Sequence, residues 1–359
     1  MKFNHVRLVG IGVTLPTQVI TSDEVEARLA PLYERLRLPS GRLELMSGIA
    51  SRRIWQPGTM PSGPSIQSGN SLLEASPILR SQIGCLIHAS VCRDFLEPAT
   101  ASKVHHGLGL ASDCWVYDVS NACLGILNGA IQIASLIESG AISAGIVVGT
   151  ENSRPLLERT IETLNSNHQL TRQTVKPAFA SLTIGSGSCA WLLAHERIAP
   201  EATSIIASVA QARTAFHDLC RSDDDAGGAE MQPTMDTDSE KLLHEGIATG
   251  VAAMEKFLPE SDWSRSDIER TVCHQVGGKH RAMMLEALGL DIARDSATFP
   301  WMGNTGSVAL PITLADAVHR GEIQPENRVA MLGIGSGINS VMVAAHWAST
   351  TVTGNLPDK

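Results

Sequence analysis

Three side chains in this sequence have the type and setting to work on an activated carbonyl. Cys123 stands in SNACLGILNGA, between an expected strand and an expected helix. A thiol at a helix start meets unpaired backbone N–H groups and the positive end of the helix dipole, which favours the thiolate. The small residues around it leave room for a substrate backbone. His274 closes an expected strand in TVCHQVGGKH, ahead of a Gly-Gly turn, and strand C-terminal ends are where α/β proteins place their sites. Asn304 follows in MGNTGSVALP. A histidine and an asparagine can donate two hydrogen bonds to one carbonyl oxygen, which suits a developing enolate or other oxyanion. The other six cysteines lie in strand-like or loop contexts and read as structural. With no CxxC pair, the seven argue against a disulfide framework or a structural zinc site.

Alternating short apolar runs and helical patterns would position these residues. Val6–Val13, Ile83–Val91, Trp115–Val119, Gly145–Gly149 and Cys189–Ala194 read as strands, as do Thr271–Gln275, Val329–Gly333 and Ser340–Ala345. Asp23–Leu36, Leu124–Ser139, Gly246–Phe257, Lys279–Leu288 and Val308–Arg320 read as helices; Thr21 to Asp23 offers an N-cap, and Gly140 and Gly321 are stops. The pattern is α/β with buried strands. It also repeats. IGSGSCAWLLA at 184–194 matches IGSGINSVMVA at 334–344 at five of eleven positions, offset by 150. Cys123–Ile142 matches Asn304–Ile323 at five of twenty, offset by 181, so Cys123 aligns with Asn304. We read a duplicated unit, with an N-terminal half at 1–199 carrying the cysteine and a C-terminal half at 200–359 carrying His274 and Asn304. The unequal offsets imply about 31 extra residues in the first half, at about 150–183, a place for a lid or channel wall, or equally an ordinary surface excursion.

Composition narrows the class. Hydrophobic residues are 43%, charged residues 18% and aromatics 4%, so the core is largely aliphatic. A net charge of −9 argues against general nucleic-acid binding. No apolar run is long enough for a membrane helix, and the opening MKFNHVRLVGIG lacks a signal-peptide order, so a cytoplasmic protein is expected. Asp223, Asp224 and Asp225 make a metal site conceivable, but successive acids read better as a solvated loop, and no metal is expected. GSCAW at 187–191 superficially resembles a papain-like nucleophile region, but its Cys189 falls in a strand with a repeat partner at Asn339 rather than opening a helix.

DVSNACLGILNGA, HQVGGKH and GNTG, in this order, resemble the ketoacyl synthase III branch of the thiolase superfamily. VRLVGIGVTLP, SGIASRRI, EPATASKVHHGLGL and GIGSGINSVM fit as well, so the resemblance spans nearly the whole chain. It implies the duplicated, five-layered αβαβα thiolase fold, a homodimer, no cofactor beyond coenzyme A thioester substrates, and Cys–His–Asn Claisen chemistry. Glu97, in CRDFLEPATAS, matches the carboxylate that, in enzymes condensing two acyl-CoAs head to head (the OleA type), enters from the dimer partner and removes the proton next to the thioester. Pro98 is expected to hold Glu97 extended. HDLCR at 217–221 and the GIGSGIN ending resemble that subfamily too. A biosynthetic thiolase's second cysteine is absent, since none follows Cys273. GRLELMSGI lacks the Trp and Arg with which fatty-acid-initiating synthases grip the nucleotide, and HQVG replaces their usual HQAN. The implied site is therefore Cys123, His274, Asn304 and Glu97, with the backbone N–H of Cys123 and of Ser336 or Gly337 holding an oxyanion. The implied product is a 2-alkyl-3-oxoacyl-CoA or its β-keto acid. Decarboxylative condensation with malonyl thioester, or a non-catalytic subunit of the same fold, are the alternatives.

Overall fold

The apolar runs form strands whose alternate residues enter different cores. In the computed structural model, which describes residues 1–222 and 235–358, the main strands are β1 (Val6–Thr14), β2 (Ile83–Ala89), β3 (Trp115–Val119), β4 (Ala144–Glu151), β5 (Gly187–His195), β6 (Thr203–Ala212), β7 (Arg270–Cys273), β8 (Asp295–Ser296), β9 (Arg328–Gly335), β10 (Asn339–His346) and β11 (Thr351–Gly354). They make one eleven-stranded sheet, ordered β8-β7-β9-β10-β6-β1-β5-β4-β2-β3, with β11 beside β1. Outward from the central β1–β6 contact, the first five strands run β1-β5-β4-β2-β3 and the next five run β6-β10-β9-β7-β8. The two orders are identical once renumbered. The repeated sequences fall on equivalent strands, β5 and β10. The Asp223–Asp225 loop lies outside the described residues.

The main helices are α1 (Ser62–Ala75), α2 (Thr100–Leu108), α3 (Gly125–Glu138), α4 (Arg154–Ser166), α5 (Ser239–Ser261), α6 (Gly278–Leu288) and α7 (Ala309–His319). Burial separates them into layers. On β5, Cys189, Trp191 and Leu193 face the central core while Ala190, Leu192 and Ala194 face the outer one. On β10, Val341, Val343 and Ala345 face the same central core, and Met342 and Ala344 a second outer one. The central core belongs to α3 and α7. The outer cores are covered by α1 and α2 on one side and by α5 and α6 on the other. The result is the five-layered thiolase arrangement. On α3, Ile126, Ala130, Ile133 and Ile137 recur at helical spacing and are buried; each isoleucine contributes about 1.5–3 kcal/mol by leaving water.

Two helices differ from the sequence reading. The expected Asp23–Leu36 helix is two, Ser22–Arg28 and Ala30–Leu36. Pro31 cannot donate a backbone hydrogen bond, so the chain breaks at Leu29. The first of the pair starts with a full capping box between Thr21 and Glu24. Conversely, α5 begins at Ser239, well before Gly246, because Asp238 caps it by accepting from Lys241 N–H at 3.0 Å. Residues 152–183 hold α4 and a turn of 3-10 helix, Lys176–Leu182. Leu157, Ile161 and Leu164 of α4 pack with Leu29, Leu32 and Leu43 into a fourth core, which makes this insertion an ordered cap.

Candidate active site

Cys123 sits on a tight turn. It follows β3 and precedes α3, with Ala122 in the left-handed region at φ 44°. A non-glycine residue is strained there by about 1–3 kcal/mol. The helix proper starts at Gly125, so the thiol lies just outside the first turn. Gly125 is a point of close approach: a methyl group there would stand 3.2 Å from the Ala89 carbonyl carbon and 3.3 Å from Ser307 Cβ. The cysteine turn thus abuts the turn that follows Asn304.

Asn304 lies between the Phe299–Met302 helix and a 3-10 turn, Gly306–Val308. Its backbone is clamped against the first half: Asn304 N–H donates to Thr183 O at 3.0 Å, and Asn304 O accepts from Gly185 N–H at 2.9 Å. Only glycine fits at 185, where an added Cβ would come within 1.8 Å of Met302 O. Asn304 Oδ1 accepts from Gly306 N–H at 3.0 Å. That fixes the amide and leaves Nδ2 as its donor end.

His274 directly follows β7 and extends its ladder, donating its N–H to Leu332 O of β9 at 3.1 Å. Three residues further along β9 is Gly335, whose missing Cβ would lie 3.5 Å from Cys123 N. The Ser336–Gly337 turn comes next, with Gly337 at φ 106°. The Cys123 and Asn304 turns thereby meet across the two halves, and His274 is bonded to β9, the strand that ends beside Cys123. His274 is 4% exposed, and its Nδ1 is buried without a partner among the described residues. Burial, aided by nearby His280, pushes the imidazole down to about 3, so it is neutral at physiological pH.

The thiol departs from the sequence reading. Burial first, then the charge of Glu151 and the proximity of Cys220, push Cys123 up to about 12. The helix start does not leave a resting thiolate. A neutral thiol instead accompanies a neutral imidazole. The motifs above do not point to Glu151; its one sign in the sequence is an acid closing the otherwise apolar AGIVVGTE strand.

Glu97 lies on the surface. It is exposed in the loop between β2 and α2, and its bond to Pro98 is cis. Around it, Val91, Phe95 and Leu96 are each about half exposed. Cys189 is fully buried within β5, consistent with a structural residue. Among the described residues, no group of three or more His, Cys, Asp or Glu side chains could hold a metal ion, and no helix is long and apolar enough to cross a membrane.

Known proteins share this architecture. Residues 258–347 match the family model for the 3-oxoacyl-[acyl-carrier-protein (ACP)] synthase III C terminal. The chain is 34% identical over 351 residues to the acyl-CoA:acyl-CoA alkyltransferase of Shewanella oneidensis, covering 97% of this chain and 100% of that protein. It is 33% identical over 347 residues to the enzyme of the same name from Xanthomonas campestris, with the same coverage. The solved structure of a cysteine-to-alanine form of Xanthomonas campestris OleA is similar with a TM-score of 0.91 at 32% identity, over 97% of this chain and 98% of that one. A common fold, matched end to end at one residue in three, assigns this chain to the acyl-CoA:acyl-CoA alkyltransferase (OleA) family, in the ketoacyl synthase III-like branch of the thiolase superfamily.

Proposed function

We propose that this protein condenses two acyl-CoA molecules head to head, without decarboxylation, on a Cys123–His274–Asn304 centre completed by Glu97 of a second copy. The observation that supports the reading is that the Cys123 turn meets both the Asn304 turn and the end of β9, the strand to which His274 is bonded, in a fold matched along its length by the alkyltransferases. Two further findings support it. OleA has been solved with bound lauric acid and lauroyl-CoA. In other solved forms a glutamate is substituted, and that glutamate precedes the substituted cysteine by the same number of residues as Glu97 precedes Cys123.

The steps follow from the protonation states. Cys123 Sγ attacks the first thioester carbonyl while His274 takes the thiol proton. The N–H groups of Cys123 and of Ser336 or Gly337 hold the tetrahedral oxyanion. Collapse expels the coenzyme A thiolate, which recovers the proton, and leaves acyl-Cys123. A second acyl-CoA gives its α-proton to the Glu97 carboxylate. The His274 imidazole N–H and Asn304 Nδ2–H stabilise the enolate oxygen. The carbanion attacks acyl-Cys123, the new carbon–carbon bond forms, and the departing sulfur is reprotonated. The product is a 2-alkyl-3-oxoacyl-CoA, or the β-keto acid after hydrolysis. These steps call on no metal or redox cofactor, and the reading places them in the cytoplasm.

A homodimer follows from the same reading. Glu97 is surrounded by half-exposed Val91, Phe95 and Leu96, and the nearby edge strand β3 leaves Trp115 66% exposed. A second copy would cover this apolar face and bury the carboxylate.

Incubation of the purified protein with one saturated acyl-CoA tests the reading. Ketone or β-keto acid without malonate is expected, together with an acyl adduct on Cys123 by mass spectrometry. Glu97→Ala should retain the adduct and lose condensation. Product formation only with malonyl thioester, or no adduct at all, would overturn the proposal.

A further inference from the structure

One buried carboxylate takes no part in those steps. Glu151 closes β4 and is 5% exposed. Its Oε1 accepts from Ser307 Oγ at 2.5 Å, from Val91 N–H at 3.0 Å and from Ser307 N–H at 3.3 Å. Its Oε2 accepts from Cys92 N–H at 3.3 Å. Four hydrogen-bond donors thus converge on this one carboxylate. The donors come from two separate places. Val91 and Cys92 open the loop that carries Glu97, whereas Ser307 lies in the turn that follows Asn304. Gly306 is shaped for the contact: at φ 55°, an added Cβ would stand 3.2 Å from Glu151 Cγ. Ser307 in turn packs on Gly125, at the start of the Cys123 helix.

We infer that Glu151 is a positioning residue that ties the Glu97-bearing loop and the Asn304-bearing turn together beneath Cys123, so that base, enolate donor and nucleophile keep one register. The inference rests on the condensation mechanism proposed above. It has two parts, a geometric tie and a fixed negative charge. The tie must matter most when Glu97 and Asn304 act together, which is in condensation rather than acylation. The charge acts on the resting thiols: Glu151 opposes ionisation of both Cys123 and Cys92, in each case after burial. Burial remains the first cause of the raised Cys123 thiol, and Glu151 adds to it.

Two variants separate the parts. Glu151→Gln keeps one acceptor oxygen and removes the charge; Ser307→Ala removes the shortest tie and keeps the charge. Each is assayed for the acyl-Cys123 burst, for steady-state condensation and for iodoacetamide labelling of Cys123 at pH 8. For both, the burst amplitude should persist while condensation kcat falls, by on the order of ten- to a hundredfold for Glu151→Gln and less for Ser307→Ala. Labelling should accelerate severalfold, on the order of tenfold at most, in Glu151→Gln and stay at the wild-type rate in Ser307→Ala. Wild-type condensation in either variant, or parallel loss of burst and condensation, would overturn the inference. If Glu151→Gln does not fold, the Ser307→Ala result decides it alone. A wild-type protein that forms no acyl-Cys123 would instead sink the mechanism itself.

Discussion

The two IGSG turns occupy equivalent places in the duplicated halves, yet they do different things. The first, at 184–187, packs against the Asn304 turn and is bonded to it through Gly185 N–H to Asn304 O and Thr183 O to Asn304 N–H. The second, at 334–337, packs against the Cys123 turn, with Gly335 beside Cys123 N. No such backbone pair joins Cys123 to Ser336 or Gly337 among the described residues. Each half therefore cradles the functional residue of the other. One cradle is closed and holds an asparagine rigidly. The other is open, which in the proposed mechanism leaves backbone donors for the thioester oxygen. A duplicated scaffold has been divided between positioning and chemistry without altering its strand order.

Exchanging the chemistry of the open cradle should have the largest effect. Cys123→Ala removes the acyl acceptor, and condensation should fall by about 10⁴ or more, with no adduct by mass spectrometry. An adduct on another residue would break the assignment of the two cradles. The equivalent change in the closed one, Asn304→Ala, should cost about 10²–10³ in condensation kcat and leave the acylation burst. Equal loss of both half-reactions would mean that Asn304 also serves the first step.

The closed cradle should also be the less forgiving of added volume. Gly185→Ala drives a methyl group to within 1.8 Å of Met302 O, which is backbone and cannot swing away. A loss of about 3 kcal/mol or more is expected, read as a lowered denaturant midpoint or as failure to accumulate folded protein.

The protonation states give a pH test of the open side. With Cys123 pushed up to about 12, the thiolate is a minor species throughout the neutral range. Iodoacetamide labelling should therefore rise about tenfold per pH unit from pH 6 to pH 10 without levelling. With His274 pushed down to about 3, no imidazolium is available to stabilise the thiolate near pH 7. A plateau near neutrality would show a resting thiolate–imidazolium pair and contradict this picture.

Much of this division was legible in the sequence, and the reason is local. IGSG at 184 and at 334, and the pairs Gly125/Gly306 and Gly140/Gly321 that align Cys123 with Asn304, are backbone requirements of each half and so persist as identities. Alternation along β5 and β10 places them between two cores without reference to distant residues. What depends on distant groups was not legible. The raised thiol reflects burial and Glu151, which the sequence places 28 residues from Cys123 and the fold brings beside it. The break at Leu29 and the early start of α5 turn on a single proline and a single cap, which periodicity does not register. Glu97 could be given a role from its resemblance alone, because in the proposed mechanism its chemistry needs a second chain.

Gly335→Ala is the mildest change and the sharpest comparison with Gly185→Ala. The new methyl group would meet Leu124 Cγ at 3.1 Å and Cys123 N at 3.5 Å. The first is tight, but Leu124 is a flexible side chain that can yield by a few tenths of an ångström, and the second is ordinary contact. Stability should fall by about 1 kcal/mol, a shift of about 2 °C in Tm for a chain of this size. The functional consequence should be more specific. Displacing Leu124 moves the turn that aims Cys123 at the Ser336–Gly337 donors, so the acylation rate should fall severalfold. The enolate step depends on Asn304 across the closed cradle and should change less. A Gly335→Ala protein as damaged in folding as Gly185→Ala would mean that both turns are equally packed, and that the open cradle is not open.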